Sequence, residues 1–338
     1  MLRILVAIAL LWPISASSQD NSVLVNEVLE AQILPGYRTL ASESAALDAV
    51  AARDCAPDSQ TLRQAYQSAF DAWIGVSHLR FGPSEAKNRA FALAFWPDSR
   101  GATSKTLSSL IASEDPVVDD EAAFSSVSVA ARGFFALELL LYDETLAAQN
   151  PEYACRLTQA IAHDIALNTT EMYEDWQSVY GEILTSPGPE NPIYFTDVEP
   201  VQELYKSLLH GLEFTVSQRL ARPLGTIERP RPKRAEAWRS GRSLRNVTLS
   251  VEATGELAQI LASQLPEDGR TTLNAALDRV LQRADGLDDP VFAGVVDPSE
   301  RFQVELLQQD INNLYEAAHM VIGPALGVSR GFNSLDGD

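Results

Sequence analysis

Hydrophobic positions in this chain recur mostly at helical spacing, and few runs alternate as a strand would. Leu62, Tyr66, Phe70, Trp73 and Val76 fall on one face of a helix, a stripe typical of a helix that packs against a core. The same periodicity, bounded by Pro, Gly and capping residues, predicts helices at 21–52 with an interruption at 35–36, and at 85–95, 122–142, 152–180, 198–222, 234–265, 269–284 and 299–321. The predicted fold class is all-α.

Prolines interrupt the helical pattern near the middle of the chain, at Pro187, Pro189 and Pro192. The 338 residues are enough for two domains of ordinary size. We therefore predict two helical bundle-like domains packed together, at 19–190 and 191–338. The Gly-rich tail from Gly323 is predicted to be poorly ordered.

The stretch from Arg132 to Tyr142 is apolar on every side of its predicted helix, with one exception, Glu138. Such a helix is expected in the core rather than on the surface. A lone carboxylate there needs a cation, a metal, hydrogen-bond donors or a raised pKa. Glu138 is therefore either a structural residue satisfied by an arginine or a residue that binds a ligand or handles a proton.

The charge composition of the chain argues against some classes of binding partner. The 46 acidic and 26 basic residues give a formal net charge of −20, which argues against binding to nucleic acid or to anionic membranes. A Pro-containing stretch at 222–232 is basic by contrast and predicts a stiff connector. The general attraction of an acidic protein for cations does not by itself define a metal site.

The first residues have the organisation of a secretory signal peptide. Arg3 precedes an apolar run at 4–14 and small residues at 15–18, and cleavage after Ser17 or Ser18 fits this pattern. The run is too short to span a bilayer, and no Cys stands at the junction to carry a lipid. We expect residues 1–18 to be removed and the mature protein to be soluble in the periplasm.

Cys55 and Cys155 are the two cysteines of the chain. In an exported protein an even pair usually forms a disulfide, and two buried free thiols are the alternative. Neither has a neighbouring His, so a zinc site of the usual spacing is not supported.

Two further pairs have spacings found in metal sites of helical bundles. His210 with Glu213, and Glu316 with His319, each share a helix face, although such pairs also arise by chance on solvated helices. The further carboxylates of a di-iron site are not visible. The sequence has no nucleophile elbow, P-loop, dinucleotide-binding glycine motif or His-Glu-x-x-His, so no local motif supports an enzyme.

Four blocks of the sequence resemble the imelysin family of bacterial envelope proteins. They are Trp73 with 80–83, then 95–101, 133–138 and 235–243, and they follow the family's order over most of the mature chain. The resemblance implies a fold of two helical bundle-like halves. It also implies a periplasmic location and a link to the uptake of iron or another metal, and for the founding members a metallopeptidase class.

The signature of that family is Gly-x-His-x-x-Glu. Gly133 and Glu138 match it, but Phe135 stands at the His position. Phe can neither ligate a metal nor carry a proton, and the substitution weakens the case for a peptidase or a metal site here. The chain is similar to the subgroup of imelysin-like proteins with an apolar residue at this position.

We expect Glu138 to lie in a polar pocket between the two bundles, with Arg80 or Arg100 neutralising its charge. The residues assigned to this binding pocket are Glu138, Arg80, Asp98, Arg100, Trp73, Trp96, Phe135, Arg239, Ser240 and Ser243.

The sequence is compatible with three functions. The first is a non-enzymatic binding protein for metal acquisition, which would take iron, another metal ion or a small anionic chelate. The second is a metallopeptidase of the imelysin type, which requires a metal-bound water and a general base. The third is a scaffold that binds another envelope protein, since a fold does not fix a function.

Overall fold

A computed structural model describes residues 21–326, and the predictions for the signal segment and for the tail at 327–338 lie outside this range. Between residues 21 and 326 there is no β-strand, and the one extended pairing is an isolated bridge between Thr226 and Arg229. The all-α prediction is confirmed. No helix within this part of the chain is long and apolar enough to cross a membrane.

Fifteen α-helices follow one another along residues 21–326. They are α1 (Asn21–Val28), α2 (Leu34–Ala51), α3 (Gln60–Val76), α4 (Arg89–Leu93), α5 (Ala102–Ser113), α6 (Glu121–Phe124), α7 (Gly133–Tyr142), α8 (Glu144–Ala147), α9 (Pro151–Asp175), α10 (Gly181–Thr185), α11 (Val198–Phe214), α12 (Ala221–Leu224), α13 (Ser243–Leu261), α14 (Glu267–Asp285) and α15 (Pro298–Val321).

The predicted interruption at 35–36 is wrong, because α1 continues into α2 through a π-helical turn, Leu29–Ile33. Pro35 falls in the first turn of α2, directly after this wider turn. Inside a continuous helix a proline lacks one N–H of the regular hydrogen bonding and its ring crowds the preceding turn, so the irregular π-helical turn directly before Pro35 is where that disruption is accommodated.

The predicted helix at 85–95 is reduced to α4. Lys87 and Asn88 both adopt left-handed backbone conformations, with φ of 54° and 56°, so no α-helix can run through them. The shorter helix leaves residues 94–101 free to form the loop that lines the site described below.

The helices pack as bundles around a continuous apolar core. Helix α2 packs against α3 and α9, α14 packs against α15, and α13 contacts α3, α11 and α14. Through α13 the first and second halves of the chain are in direct contact, and the buried apolar cluster contains residues from both halves. The domain boundary near 187–192 stays a prediction.

A disulfide joins Cys55, in the connection between α2 and α3, to Cys155 near the start of α9. The two Cα atoms are 5.2 Å apart, although 100 positions separate the residues in sequence. The bond therefore ties the α2–α3 connection to the helix against which α2 already packs.

Candidate functional site

Helix α7 starts at Gly133, because the backbone of the two residues at its start is not helical and no helix can run through them from the preceding chain. Gly133 has φ of +71°, and Arg132 before it is extended. The Arg132 guanidinium donates to both carboxylate oxygens of buried Asp164 at 2.9 and 2.6 Å. The single helix predicted at 122–142 is therefore wrong, and the apolar stretch forms a separate helix whose residues 133–141 are all buried.

Replacing Gly133 by Ala is expected to lower the free energy of unfolding by about 2 kcal/mol or more. A left-handed backbone costs a non-glycine residue about 1–2 kcal/mol, and the added Cβ would lie 2.3 Å from the carbonyl oxygens of Ala92 and Leu93. Gly101→Ala is the matched control, because Gly101 also has positive φ but open space around its Cα. Equal losses for the two variants in chemical denaturation would contradict the role of the clash.

Glu138 is a buried carboxylate whose hydrogen bonds come from a distant turn. Its Oε1 accepts the Ser240 N–H at 2.9 Å and the Ser240 hydroxyl at 2.8 Å. Burial raises the pKa of Glu138, while the Ser240 hydrogen bonds and the charges of Arg239 and Arg242 oppose that rise. Both bonds end on Oε1, so Oε2 accepts none from residues 21–326 and remains available to a ligand.

The expected neutralisation of Glu138 by Arg80 or Arg100 is wrong. Arg80 instead pairs with Glu85 at 2.5 Å, and Arg100 is exposed, its backbone N–H donating to Asp98 at 3.3 Å. The two Ser240 donors bind Oε1 of the carboxylate directly, and the nearby positive charge comes from Arg239 and Arg242, in the turn that carries Ser240.

That turn, residues 235–242, was predicted to be the start of a helix, and this prediction is also wrong. Ala237 and Gly241 have φ of 47° and 76°, so α13 starts only at Ser243. The Ser243 hydroxyl donates to the Glu236 carbonyl at 2.6 Å, and the Ser240 hydroxyl donates to the Ala237 carbonyl at 3.1 Å. These bonds close the turn and hold Ser240 towards α7.

Arg242 anchors the same turn to α3. Its guanidinium is buried and donates to the Gln67 side chain at 2.5 Å, to Asp71 at 2.7 Å and to Asn246 at 2.9 Å. It also lies 4.3 Å from the centre of the Phe70 ring. A guanidinium with partners on several sides fixes orientation well, so the turn is held rigidly beside Glu138.

Asp98 accepts hydrogen bonds from the backbone at the start of α5. Its two oxygens accept the backbone N–H groups of Ala102 at 2.9 Å and Thr103 at 2.8 Å. Burial acts to raise the pKa of Asp98, but these hydrogen bonds outweigh it and hold the pKa below its usual value. Asp98 is thus a helix cap whose lone pairs are largely in use.

Glu138 and Asp98 line a cavity of about 330 Å³, which we call the first cavity. It lies between α7, residues 95–104, which comprise the loop and the first turn of α5, and residues 233–239, which overlap the turn that carries Ser240. Of the predicted pocket residues, this cavity brings together Glu138, Asp98, Trp96, Phe135 and Arg239. Trp73 and Arg80 line a second cavity, which shares Trp96 and Phe135 with the first. Arg100 and Ser243 line neither, and Ser240 contributes through Glu138.

The first cavity also contains basic residues that the sequence analysis did not assign to the site. Arg222, Lys233 and Arg234 line it together with Arg239. Burial, and then the neighbouring Arg234, lower the pKa of Arg222. Arg239 lies 3.6 Å from Asp143, but within the described chain the other three form no ion pair.

The sequence contains a signal for these basic residues, a local excess of Lys and Arg. Nine of the 26 Lys and Arg residues lie between positions 219 and 245, in a chain of net charge −20. The basic connector was recognised, but its position beside Glu138 could not be read from local pattern.

Among residues 21–326, no third ligand joins either of the two predicted metal-binding pairs. His319 Nδ1 is 2.8 Å from the Tyr205 hydroxyl, and His210 lines the second cavity. In residues 21–326 there is no group of three or more His, Cys, Asp or Glu side chains that could hold a metal ion. His210 with Glu213 and Glu316 with His319 stay predictions.

Two individual proteins are similar to this chain, one in its structure and one in its sequence. The chain is 19% identical to the crystal structure of an imelysin-like protein from Psychrobacter arcticum 273-4, with a TM-score of 0.79 over 94% of this chain and 99% of that one. It is 27% identical over 244 residues to "Iron-regulated protein A" of Synechococcus elongatus. That match covers 68% of this chain and 63% of the length of the relative.

A comparison with protein families extends over most of the chain. The sequence profile described as imelysin, or peptidase M75, matches residues 33–318, which include α7, residues 95–104 and the turn at 235–242. The match covers well over half of the 338 residues, and the chain belongs to the imelysin family.

Proposed function

We propose that this protein is an exported, non-enzymatic binding protein that takes iron as a small anionic chelate in the first cavity. The observation that carries the proposal is the set of four basic side chains, Arg222, Lys233, Arg234 and Arg239, around a cavity of about 330 Å³. A ligand with several carboxylates, such as ferric citrate, has the matching charge.

The charge balance of the cavity favours an anion over a bare metal ion. Four basic side chains face only two carboxylates, Glu138 and Asp98, and Asp98 is engaged in capping α5. Iron prefers several oxygen, nitrogen or sulfur ligands, and of the described residues that line this cavity only Glu138 offers a carboxylate oxygen, Oε2, without a hydrogen bond. The remaining ligands would arrive with the metal as part of the chelate.

Glu138 gives the site a means to distinguish the loaded chelate from the free anion. Its Oε2 accepts no hydrogen bond from the described residues and can point a negative oxygen at the bound ligand. A carboxylate repels a free polyanion but is attracted to a metal ion at its centre. We therefore assign Glu138 to metal recognition and the basic residues to binding of the chelator.

Two observations support the link to iron and the exported location. The relative from Synechococcus elongatus carries the name iron-regulated protein A. The Cys55–Cys155 disulfide suits an oxidising compartment such as the periplasm, in agreement with the signal peptide predicted at 1–18.

The proposal predicts saturable binding of ferric citrate, measured by titration calorimetry on the purified mature protein. Arg222→Gln with Arg234→Gln is expected to weaken binding about tenfold or more, because a hydrogen bond to a charged group contributes about 1.5–3 kcal/mol. Arg231→Gln is the matched control, since Arg231 belongs to the same basic connector but does not line the cavity. Its affinity should equal that of the wild type.

Glu138→Gln distinguishes recognition of the metal by Glu138 from binding of the chelator by the basic residues, in the same calorimetry experiment. This variant should bind iron-free citrate at least as well as the wild type and should lose the preference for ferric citrate over citrate. The proposal fails if neither anion binds saturably, or if the double arginine variant binds as tightly as Arg231→Gln.

A further inference from the structure

A third cavity, of about 470 Å³, is lined by residues of α2, of α9 and of the segment at 116–124. We call this segment the acidic segment, and it consists of a 3₁₀ turn, Pro116–Asp119, and the short helix α6. Among the described residues, the third cavity shares no lining residue with the first or the second. The side chains that form it are therefore separate from the chelate site proposed above.

His163 connects three helices at the wall of this cavity. From α9, its Nδ1 lies 3.0 Å from the Asp48 carboxylate of α2, and its Nε2 lies 3.2 Å from the Glu121 carboxylate of α6. An ionised carboxylate only accepts hydrogen bonds, and a neutral imidazole has a single N–H to donate. With both carboxylates ionised, the two contacts can both be hydrogen bonds only when the ring carries a proton on each nitrogen.

The other two acidic residues that line the third cavity each have a cation of their own. Asp119 pairs with Arg156 at 2.7 Å, and Asp164 accepts two hydrogen bonds from Arg132. Within residues 21–326, the carboxylates on either side of His163 form no ion pair except with its ring. The charge that holds α2 and α6 to this point of α9 is therefore that of one imidazolium.

The same surroundings raise the pKa of His163. The hydrogen bond with Asp48 is the largest cause, burial acts in the opposite direction, and the hydrogen bond with Glu121 adds to the rise. A pKa that is raised on folding contributes stability below the ordinary value of 6.5, and this contribution is lost as the pH rises through the raised value. The bridge therefore weakens under alkaline conditions.

Deprotonation of the ring is expected to release Glu121 and to leave Asp48 in place. The neutral ring keeps one N–H, and the contact with Asp48 is the shorter of the two. Asp48 is also less exposed, at 30% of its side chain against 64% for Glu121. The acidic segment would keep the Asp119–Arg156 pair and the buried ring of Phe124, so it would loosen around Glu121 without detaching.

We propose that His163 is a pH-dependent bridge that, when protonated, holds the acidic segment to α2 and α9 and so fixes one wall of the third cavity. Loss of a proton from the ring frees Glu121 and loosens that wall. This bridge is independent of the binding of a chelate in the first cavity.

The titration of the ring tests the bridge directly. In the purified mature protein, the NMR signals of the His163 ring should titrate with a midpoint above 6.5. Glu121→Gln should lower this midpoint, because it removes one of the two negative charges next to the ring. Glu114→Gln is the matched control and should leave the midpoint unchanged, since Glu114 precedes the acidic segment and does not line the cavity.

Hydrogen exchange measures how firmly the acidic segment is held. After correction for the intrinsic effect of pH, protection of the amides at 116–124 should be about two- to fivefold higher at about pH 6 than at about pH 9, as expected for a partly exposed ion pair. His163→Gln cannot be protonated and should show the lower protection at both pH values. His319→Gln, whose ring contacts Tyr205 in the wild type, should keep the wild-type change.

The side chain of His163 is 42% exposed, so its replacement should leave the rest of the fold intact, which circular dichroism checks. Three results would each overturn the proposal. They are a His163 midpoint at or below 6.5, equal protection of 116–124 at the two pH values in the wild type, and a pH dependence of this protection that survives His163→Gln.

Discussion

Loss of the Cys55–Cys155 disulfide is expected to lower the free energy of unfolding by about 4–5 kcal/mol. The bond closes a segment of 100 residues, and the entropy that a cross-link of this span removes from the unfolded chain corresponds to about 4.7 kcal/mol. In the folded state the two residues are held close in any case, because α2 packs against α9. The stabilisation therefore comes mainly from the restriction of the unfolded chain.

Chemical denaturation of the Cys55→Ala, Cys155→Ala double variant measures this contribution. The wild type in the presence of a reductant is the natural control, since it should match the variant and not the oxidised protein. A loss below about 1 kcal/mol would show that the unfolded chain is already restricted in this region, and the entropic account would be wrong.

The parts of the fold that were predictable from sequence are those set by local periodicity. The stripe from Leu62 to Val76 lies on the buried face of α3, and the predicted helices near 269–284 and 299–321 agree closely with α14 and α15. In these segments the apolar face, the caps and the helix propensity all favour one structure.

The failures lie where a backbone conformation depends on residues far away in sequence. Gly133 has positive φ and lies so close to Ala92 and Leu93 that an added Cβ would be 2.3 Å from both carbonyl oxygens. Ala237 adopts positive φ in a turn that Arg242 fixes to α3. Neither contact can be recognised from the residues next to it in sequence. The composition of both segments therefore favoured an unbroken helix.

The same limit applies to the candidate site. The burial of Glu138 was predictable from the apolar residues around it, and the cavity does contain several of the residues assigned to it. Its partner was not predictable, because Ser240 is 102 positions away and reaches Glu138 from a turn that was expected to be helical. The choice between an arginine and a serine depends on tertiary geometry alone.

The largest effect of a single substitution is expected at the buried pair formed by Arg219 and Glu236. Besides its 2.7 Å bond to Glu236, Arg219 donates to the hydroxyls of Thr215 at 3.1 Å and Ser250 at 3.0 Å. Asn246 donates to Glu236 at 2.9 Å. Each charge is thus fully compensated, and removing one of them leaves the other buried without its counter-charge.

We expect Arg219→Met and Glu236→Leu each to lower the free energy of unfolding by about 3–5 kcal/mol, as found when one member of a buried ion pair is removed. The double variant should cost less than either single one, because it leaves no uncompensated charge in the interior. Chemical denaturation of all four proteins gives the coupling between the two residues. Strictly additive losses would contradict this account, since they would mean that each side chain contributes by packing and not through its charge.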